Sequence, residues 1–563
     1  MPDLLATRWG RLTAFFFLYV TEGIPLGFAA TAIATQLRRQ DVGPAEIGAF
    51  VGSFYLPWAF KWAFGPFIDV FTSEKLGRRR GWIIGTQIML IVTLLACTGL
   101  NLPSQLGLLT SVLLIHNSFG AMQDVAIDAL AVNTLSEDER GLANGVMFAG
   151  AAIGSAVGGS GVLFLMPYIG IKGGFVFVAA CIALVTIFIA LPLKEAPTPE
   201  SERREAGWAS AGREIKKFAA EAFRSFHGSR GAFMGVFFAL LPAGAMSLGL
   251  ALQSNVAVEV GMDDDAVAWL SLWTQVISAI CMVGGGLLSD KLGRRRMLGL
   301  YLLLMSPPAL YLAWKLQQYG WVMPNPPVGK PGHREASVAL ISAVWVASLA
   351  YAVGQGLMYG TRTAAFMDVT NPRVAATQFT AYMAMMNLAI SYSSTWQGIA
   401  AEAFGYPVTL VIDAITGPLC VLLLPWLAPS KSPEGDGGGA GRARILALGL
   451  AVGCLCWVPY RLGVFGAGPA QPMWETLFTL IFVASAVYLA AGAVTLGDGS
   501  TLTRVALVMA PLLLAMYLRK WLPQLGPVYL VVPVLGAAVL LMKSRLSWQV
   551  LRPSVPAVST AAA

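Results

Sequence analysis

Hydrophobic residues along the chain fall into long runs that short polar turns separate. Twelve runs form two groups of six, divided by a polar stretch at 194–230, and four weaker runs follow a Gly-rich linker at 429–442. A membrane-spanning helix needs about 20 mainly apolar residues, and most runs reach that length. The runs lie at about 10–36, 45–70, 79–100, 104–133, 140–167, 173–193, 231–258, 264–290, 294–314, 337–366, 373–402, 405–428, 443–462, 473–494, 502–520 and 526–544.

These runs are predicted to be helices, because hydrocarbon cannot satisfy free backbone groups and the sequence lacks the alternation of a β-barrel. The pattern therefore predicts an all-α polytopic membrane protein of two six-helix bundles and about four extra C-terminal helices. The predicted parts are an N-terminal bundle at 1–193, a linker with an amphipathic helix at 194–230, a second bundle at 231–428, the Gly-rich linker at 429–442, additional helices at 443–545 and a tail at 546–563.

Composition excludes several classes of protein. Of the 563 residues, 56% are apolar and 12% are charged, whereas a soluble domain carries about 25% charged residues. The net charge of +8 comes from basic residues in short loops, which is typical of membrane topology and argues against nucleic-acid binding. The linker at 194–230 carries eight Lys and Arg residues. Because basic loops stay on the cytoplasmic side, this linker and both termini are expected to be cytoplasmic. Arg38 and Arg39 lie in a loop on the opposite side and are exceptions to this asymmetry.

A short motif occurs at the same place in the two groups of six runs, which indicates internal duplication. In each copy a glycine lies four residues before an aspartate, and a Gly turn with an arginine cluster follows. We expect the glycines to allow close helix approach and the charges to form a conformational latch; the alternative is a loop that only fixes topology. The latch candidates are Gly65, Asp69, Arg78 and Arg79 in the first copy, and Gly286, Asp290, Gly293, Arg294 and Arg295 in the second.

Ionisable residues within the spanning runs are costly and therefore indicate function. Asp124 and Asp128 lie one helical turn apart in the fourth run, and two such carboxylates in a low dielectric cannot easily both ionise. With Glu22 of the first run, they are the candidates for proton coupling. A structural pair, bonded to polar groups of the first or second helix, is the open alternative. Lys61 is expected to extend inward or to join the charges around Asp69.

Other polar residues of the runs are candidates to line a substrate cavity. Asn117 shares a face with the two aspartates, and Gln123 lies on an adjoining face with His116. In the tenth run, Gln355, Tyr359 and Arg362 lie on one face. Arg362 is expected to pair with an acid of the first bundle or to bind a substrate carboxylate or phosphate, unless it extends to the interface.

The repeated motif also carries a resemblance. The Gly-x-Leu-x-Asp-x-x-Gly-Arg-Arg run at 286–295 resembles the signature of the major facilitator superfamily. The stretches at 54–69, 77–87, 123–129 and 137–141 resemble its peptide and acetyl-CoA transporter branch, which includes AmpG-type muropeptide permeases. The branch resemblance covers about residues 10–195. It implies two six-helix bundles around a central cavity lined by the first, fourth, seventh and tenth helices, and alternating access.

The sequence thus predicts a secondary active transporter rather than an enzyme, with no cofactor and no metal site. It lacks a P-loop, which disfavours ATP-driven pumping. Its expected partners are therefore protons and a small polar solute, which by resemblance is a muropeptide. A siderophore or an acetyl-CoA-like solute is the alternative cargo, and a non-transporting membrane sensor is a further alternative. The expected location is a bacterial inner membrane.

Overall fold

A computed structural model of the chain describes most of the sequence and shows helices throughout. It describes residues 4–71, 76–135, 140–195, 208–370, 375–428, 438–464, 468, 471–496, 500–520 and 526–546. Side chains are not described at 66, 69, 70, 132, 140–142, 144, 375–377, 472, 496, 518, 520 and 543–546. No strand occurs within these ranges, so the prediction of an all-helical protein is confirmed.

The first half of the chain contains eight helices, several of which are segments of one longer helix. A π-helical stretch at Phe28–Ile33 joins the first two, and α8 bends at Gly170, where the backbone leaves helical geometry. The helices are α1 (Arg8–Gly27), α2 (Ala34–Arg39), α3 (Pro44–Ala59), α4 (Lys61–Val70), α5 (Arg80–Cys97), α6 (Leu106–Thr134), α7 (Arg140–Ala156) and α8 (Val162–Val185).

The second half begins after a separate helix, α9, which occupies most of the described part of the predicted linker. The helices are α9 (Trp208–Gly228), α10 (Arg230–Leu240), α11 (Ala251–Glu259), α12 (Asp264–Leu292), α13 (Arg294–Leu304), α14 (Ser306–Gln318), α15 (Val338–Val369), α16 (Ala375–Phe404) and α17 (Tyr406–Thr416). Between α10 and α11 the chain is non-helical except for a 3-10 turn at Ser247–Gly249. The seventh predicted span is therefore an interrupted helix.

Four further helices follow the Gly-rich linker: α18 (Gly439–Arg461), α19 (Gln471–Leu496), α20 (Thr501–Ala515) and α21 (Val528–Leu546). In the described residues, nine helical stretches are long and apolar enough to cross a membrane, and three shorter apolar helices, one in the second half and two after the Gly-rich linker, accompany them. The multi-pass character is thereby confirmed, while the count of six, six and four spans stays a prediction.

Contacts within the chain divide it into two compact units. Unit 1 comprises Met1–Arg213, Phe238–Ala365 and Tyr382–Leu424, and unit 2 comprises Glu214–Phe237, Phe366–Ala381 and Pro425–Ala563. Unit 1 thus holds α1–α8 and most of α11–α17, and unit 2 holds most of α9 together with α18–α21. The predicted domain boundaries, which make 194–230 a linker of its own, stay a prediction.

Small residues set the packing of α1 on α7 in unit 1. A side chain at any of five glycines of this interface would collide with backbone atoms of the facing helix. They are Gly23, Gly27, Gly150, Gly154 and Gly158. The two backbones are therefore in direct contact, which is a common way for helices to associate where lipid removes the hydrophobic driving force.

Unit 2 has its own core, which includes a buried ion pair. Arg519 and Glu475 approach to 2.5 Å, and Tyr460 donates a hydrogen bond to the same carboxylate at 3.1 Å. The Arg519 guanidinium also lies over the ring of Trp457, with 5.3 Å to the ring centre. Trp457 is fully buried among aromatic residues of α18 and α19. Because the acid, the guanidinium and the ring satisfy one another, a charge can be held inside this apolar unit.

Candidate functional site

Three carboxyl groups, one ammonium and one phenol meet inside the first half of unit 1. Lys61 of α4 forms an ion pair with Asp124 of α6, with 2.9 Å between Nζ and Oδ2. Tyr19 of α1 donates a hydrogen bond of 2.6 Å to Asp128. Glu22 of α1 interacts with the carboxyl group of Asp124. We call these five residues the carboxyl cluster; its members come from three different helices.

Helix geometry explains why these five residues meet. Asp124 and Asp128 are four residues apart on α6, and Tyr19 and Glu22 are three apart on α1, so each pair faces one side of its helix. The second predicted span is divided into α3 and α4 by an interruption of the helix at Phe60, and Lys61 is the first residue of α4. The interruption helps to direct Lys61 towards α6, where it pairs with Asp124. The side chain of Asp69 lies outside the described residues, so the expectation that Lys61 joins the Asp69 charges stays a prediction.

Burial makes the charge balance of the carboxyl cluster important. Only 5% of the Asp124 side chain and 13% of the Lys61 side chain are exposed. If all four groups ionised, three negative charges and one positive charge would leave a net charge of −2 inside the membrane. Such an excess is expensive in a medium of low dielectric constant. One oxygen of Glu22 has no hydrogen-bond partner in the described part of the protein, so the site has an acceptor to offer.

Three polar residues near the cluster have structural partners. Gln123 donates to Thr21 at 2.8 Å, and the same hydroxyl lies near Gln87. His116 lies 2.8 Å from the hydroxyl of Thr93. Asn117 donates to the carbonyl of Phe54. These contacts join α6 to α1, α3 and α5, so Gln123 and Asn117, which the sequence offers as cavity residues, connect helices in this state.

The interruption between α10 and α11 explains the position of the candidates in the tenth span. The last carbonyls of α10 have lost their helical partners. Arg362 of α15 donates to the carbonyl of Phe238 at 3.3 Å, and Tyr392 of α16 donates to that of Leu240 at 2.6 Å. Arg362 is 2% exposed and its guanidinium lies 5.6 Å from the ring centre of Phe238. In this structure it supports the broken helix rather than extending to the interface.

The other cavity candidates of α15 lie nearby. Tyr359 is close to both Arg362 and Tyr55. Gln355 and Tyr351 approach Gly249, the exposed residue at the end of the interruption. The structure thus brings Gln355, Tyr359 and Arg362 together with the interrupted helix, and separately brings Glu22, Asp124 and Asp128 together in the first half.

The two halves of unit 1 are joined by charges at what we call the far face, which carries the C-terminal ends of α2 and α11 and the loop at 319–337. Arg38 forms an ion pair of 2.8 Å with Glu259, and Arg39 forms one of 2.5 Å with Asp264. Tyr406 also donates to Glu259, at 2.5 Å. These pairs explain why Arg38 and Arg39 are exceptions to the charge asymmetry, because each basic group is neutralised within the protein.

The turn glycine of the repeated motif has a similar backbone conformation in both copies, whereas the described charged residues make different contacts. Gly77 and Gly293 both have a positive φ, at 87° and 98°, which favours glycine at this turn. Asp290 pairs with Arg294 of its own turn at 2.9 Å. In the first copy, Arg79 donates to the carbonyl of Ile68 at 3.1 Å. Arg78 is half-buried, and Arg295 is exposed.

The close helix approach expected at the motif glycines stays a prediction. No described atom of another segment lies within 4 Å of where a Gly65 side chain would begin, and Gly286 has a single neighbour at 4.0 Å. The closest contacts between α12 and α15 are made at Gly285, Gly356 and Gly360. Gly286 borders this crossing, because its backbone nitrogen lies 3.4 Å from where a Gly360 side chain would begin.

Sequence reasoning missed several residues that the structure makes prominent. Tyr19 was missed because it carries no charge and the search was for ionisable residues, although it lies one turn before Glu22. Asp413 of α17 was overlooked, although it is a single acid within an apolar run and so meets the rule that selected Asp124. Glu195 also escaped notice; it accepts from the backbone of Arg79 at 2.8 Å and of Arg80 at 3.1 Å, and so caps α5.

Comparisons with known proteins agree with this architecture. An "Uncharacterized protein" of Haemophilus influenzae is 24% identical over 433 residues, which is 74% of this chain and 94% of that protein. The anhydromuropeptide permease of Escherichia coli K12 is 25% identical over 300 residues, which is 51% of this chain and 57% of the permease. The crystal structure of a D-xylose–proton symporter covers 75% of this chain and 99% of its own, with a TM-score of 0.53 at 12% identity. That likeness shows a shared fold.

The family itself follows from a sequence profile. The profile of the Major Facilitator Superfamily matches residues 12–250 and 233–562, which together include nearly the whole sequence. The resemblance inferred from the motifs is thereby confirmed. The chain belongs to the major facilitator superfamily, and it is a multi-pass membrane transporter of that type.

Proposed function

We propose that this transporter imports a polar solute of the muropeptide class together with protons. The observation that carries the proposal is the carboxyl cluster, in which three buried acids share the single ammonium of Lys61. Such a site stays close to neutral only when one or two of its carboxyls hold a proton. It can therefore exist in two charge states, as a coupling site must.

Proton binding has a direct route to conformational change in this arrangement. The Lys61–Asp124 pair and the Tyr19–Asp128 hydrogen bond join α4 and α1 to α6. A proton on Asp124 removes the negative charge that holds Lys61, and the ammonium then turns to Asp128 or Glu22. The contacts that fix α6 thus differ between the loaded and the empty site, which is the differential interaction that alternating access needs.

The far face supports the assignment of a conformational state. Arg38 and Arg39 of α2 form ion pairs with Glu259, the last residue of α11, and with Asp264, the first residue of α12. These ion pairs close the far face. If the linker and both termini lie in the cytoplasm of a bacterial inner membrane, as we propose, the far face is periplasmic and these pairs close the transporter on that side. Import then requires the Arg38–Glu259 and Arg39–Asp264 pairs to separate in each cycle.

The substrate class rests on the similarity to the anhydromuropeptide permease and on the chemistry near the interruption. Gln355, Tyr359 and Tyr351 offer amide and hydroxyl groups that suit sugar hydroxyls and peptide carbonyls. Arg362 adds a positive charge close by, which suits a substrate carboxylate. These groups would also accept a siderophore or an acetyl-CoA-like solute, so these solutes are the competing cargo in the test.

The test is uptake of radiolabelled anhydro-muropeptide by proteoliposomes, with and without an inward pH gradient. We expect uptake that the gradient accelerates, and at least a tenfold loss of this acceleration in Asp124→Asn. Glu46→Gln is the matched control, because it makes the same chemical change on an exposed acid of α3. Equal acceleration in Asp124→Asn and in the wild type would refute proton coupling at this site. Uptake of only a siderophore or of acetyl-CoA would refute the muropeptide class.

A further inference from the structure

The interrupted helix between α10 and α11 depends on a second buried acid, Asp413 of α17. Its Oδ2 accepts hydrogen bonds from both the backbone N–H and the hydroxyl of Ser247, at 2.8 and 2.7 Å. Its Oδ1 accepts one from the side-chain amide of Gln397, at 3.0 Å. Asp413 is fully buried near the middle of its apolar span. One carboxylate thus occupies the place of the helical carbonyl that the Ser247 amide would otherwise bond.

The packing around this acid leaves the chain little freedom to satisfy Ser247 in another way. A side chain at Gly417, one turn after Asp413, would collide with the backbone of Gly244. The hydroxyl of Ser306 on α14 bonds the carbonyl of Ala414 at 2.8 Å, which holds α17 from its other side. The interruption and α17 are therefore in backbone contact, with Asp413 as the acceptor between them.

The charge of Asp413 is balanced differently from that of Asp124. Its hydrogen-bond partners within the described residues are all neutral, and no cation is among them. An ionised carboxylate without a counter-ion is costly at this depth, whereas the three donors and the nearby backbone amide of Met246 favour the ionised form. Because the two effects oppose each other, the loss or gain of a single donor is enough to shift the balance between the protonated and the ionised form.

We propose that Asp413 is a proton-binding site that controls the interruption between α10 and α11. When ionised, Asp413 accepts all three hydrogen bonds and holds Ser247 in the non-helical conformation. When it binds a proton, the neutral carboxyl becomes a weaker acceptor than the carboxylate and one of its lone pairs is taken, so its hydrogen bonds with Ser247 and Gln397 weaken. The segment at 241–250 is then released to move or to rewind.

The other elements around Asp413 present few groups that could take over this proton. From α15 the hydroxyl of Tyr351 faces it. From α16 there is Gln397, from α14 there is Ser306, and from the interruption there is Ser247, none of which titrates in the physiological range. The described surroundings therefore leave the carboxyl of Asp413 as the group whose charge changes with pH.

This inference is independent of the identity of the cargo and of the carboxyl cluster. It concerns a local opening at 241–250, which hydrogen exchange of the purified full-length protein reports without substrate or gradient. The peptide that contains Ser247 is measured at pH 5.5 and pH 8.0, with exchange times scaled for the intrinsic pH dependence of amide exchange. We expect protection at pH 5.5 to be lower by about tenfold.

Two variants assign the effect to Asp413. Asp413→Asn keeps the shape but cannot change its charge, so we expect exchange at 241–250 that no longer depends on pH. Glu46→Gln makes the same chemical change on an exposed acid of α3 and should leave the pH dependence at 241–250 as in the wild type.

Two results would overturn the inference. One is pH-independent protection at 241–250 in the wild-type protein, which needs no variant to be folded. The other is a pH dependence that persists in folded Asp413→Asn. If Asp413→Asn does not elute as a single species, Gln397→Met removes one donor and should change the protection at pH 8.0; an unchanged value would count against the inference. Loss of proton-coupled uptake in the test of the carboxyl cluster leaves each of these outcomes unaffected.

Discussion

The two halves of unit 1 bury acidic groups in different ways. In the first half, Asp124 faces a cation, and the Lys61 side chain reaches it across an interruption in its own span. In the second half, the described hydrogen-bond partners of Asp413 are neutral donors, and one of them is the backbone of an interrupted helix. A flexible ammonium can move from one carboxyl to another, whereas a backbone amide moves only with its chain. The first arrangement suits redistribution of charge, and the second suits control of helix geometry.

The largest loss of stability and transport is expected for Lys61→Ala, which removes the cation of the first arrangement. It leaves Asp124 buried without its cation, which typically costs about 3–5 kcal/mol. We expect a fall in apparent melting temperature of roughly 10 °C in detergent and loss of transport. The double variant Lys61→Ala/Asp124→Ala should recover much of the stability but not the transport. An equally unstable double variant would show that the pair is not the cause.

Asp413→Ala tests the second arrangement. It leaves the Ser247 amide and the Gln397 side chain without an acceptor, at about 1–3 kcal/mol for each unsatisfied group. We expect a smaller loss of melting temperature than in Lys61→Ala, with increased hydrogen exchange confined to 241–250. Exchange that rises equally throughout unit 1 would instead indicate global destabilisation.

Arg38→Gln examines a third arrangement, in which the acid and base lie on different halves. It removes the charge that faces Glu259 and the donors to the loop at 319–337. We expect the far face to open more often, with labelling of a cysteine introduced at Ala45 faster by about tenfold, as for a change of about 1.4 kcal/mol. Lys315→Gln is the control that should leave labelling unchanged, because in the described part of the chain this half-buried base of α14 donates only an exposed hydrogen bond to Gln318 of the same helix.

Tyr19→Phe sharpens the comparison within the carboxyl cluster. It removes one hydroxyl donor from Asp128 and leaves Lys61 in place, so the expected cost is about 1 kcal/mol. Uptake should fall by less than tenfold while protein yield stays normal. Complete loss of uptake in folded protein would mean that Tyr19 does more than donate this hydrogen bond.

The smallest effect concerns a titratable group outside the membrane spans. Burial lowers the pKa of His227 on α9, where it packs between Phe223 and Tyr488. The stability that neutral His227 contributes is therefore complete above its ordinary pKa of about 6.5 and is lost as the pH falls through the lower folded value. We expect hydrogen exchange at 214–228 to rise modestly on acidification, and His227→Phe to abolish that rise. A rise that persists in the variant would contradict this assignment.

The hydropathy pattern predicted the fold because each spanning helix must be apolar along its whole length. The repeat at Gly77 and Gly293 could also be identified from the sequence, since a positive φ favours glycine at both positions. Asp124 and Asp128 could be selected from spacing along one helix. In each case the deciding information lies within one segment of about 20 residues.

What the sequence could not predict depends on contacts between segments. The partner of Lys61 was uncertain because Asp69 is nearer in sequence, and only the packing of α4 against α6 favours Asp124. The interruption of the seventh span was not predicted, since its residues are as apolar as those of a continuous helix. The support that Arg362 gives to Phe238 depends on that interruption, so it could not be predicted either.

The glycines between α1 and α7 have a consequence for mutational tolerance. Because Gly23, Gly154 and Gly158 each face backbone atoms, no other residue fits there without separating the two helices. The position of Glu22 and Tyr19 is thus fixed by α7, a helix that contributes no group to the carboxyl cluster. In a saturation mutagenesis library, these glycines should be as intolerant of replacement as the acids themselves, although none of them can bind a proton or a solute.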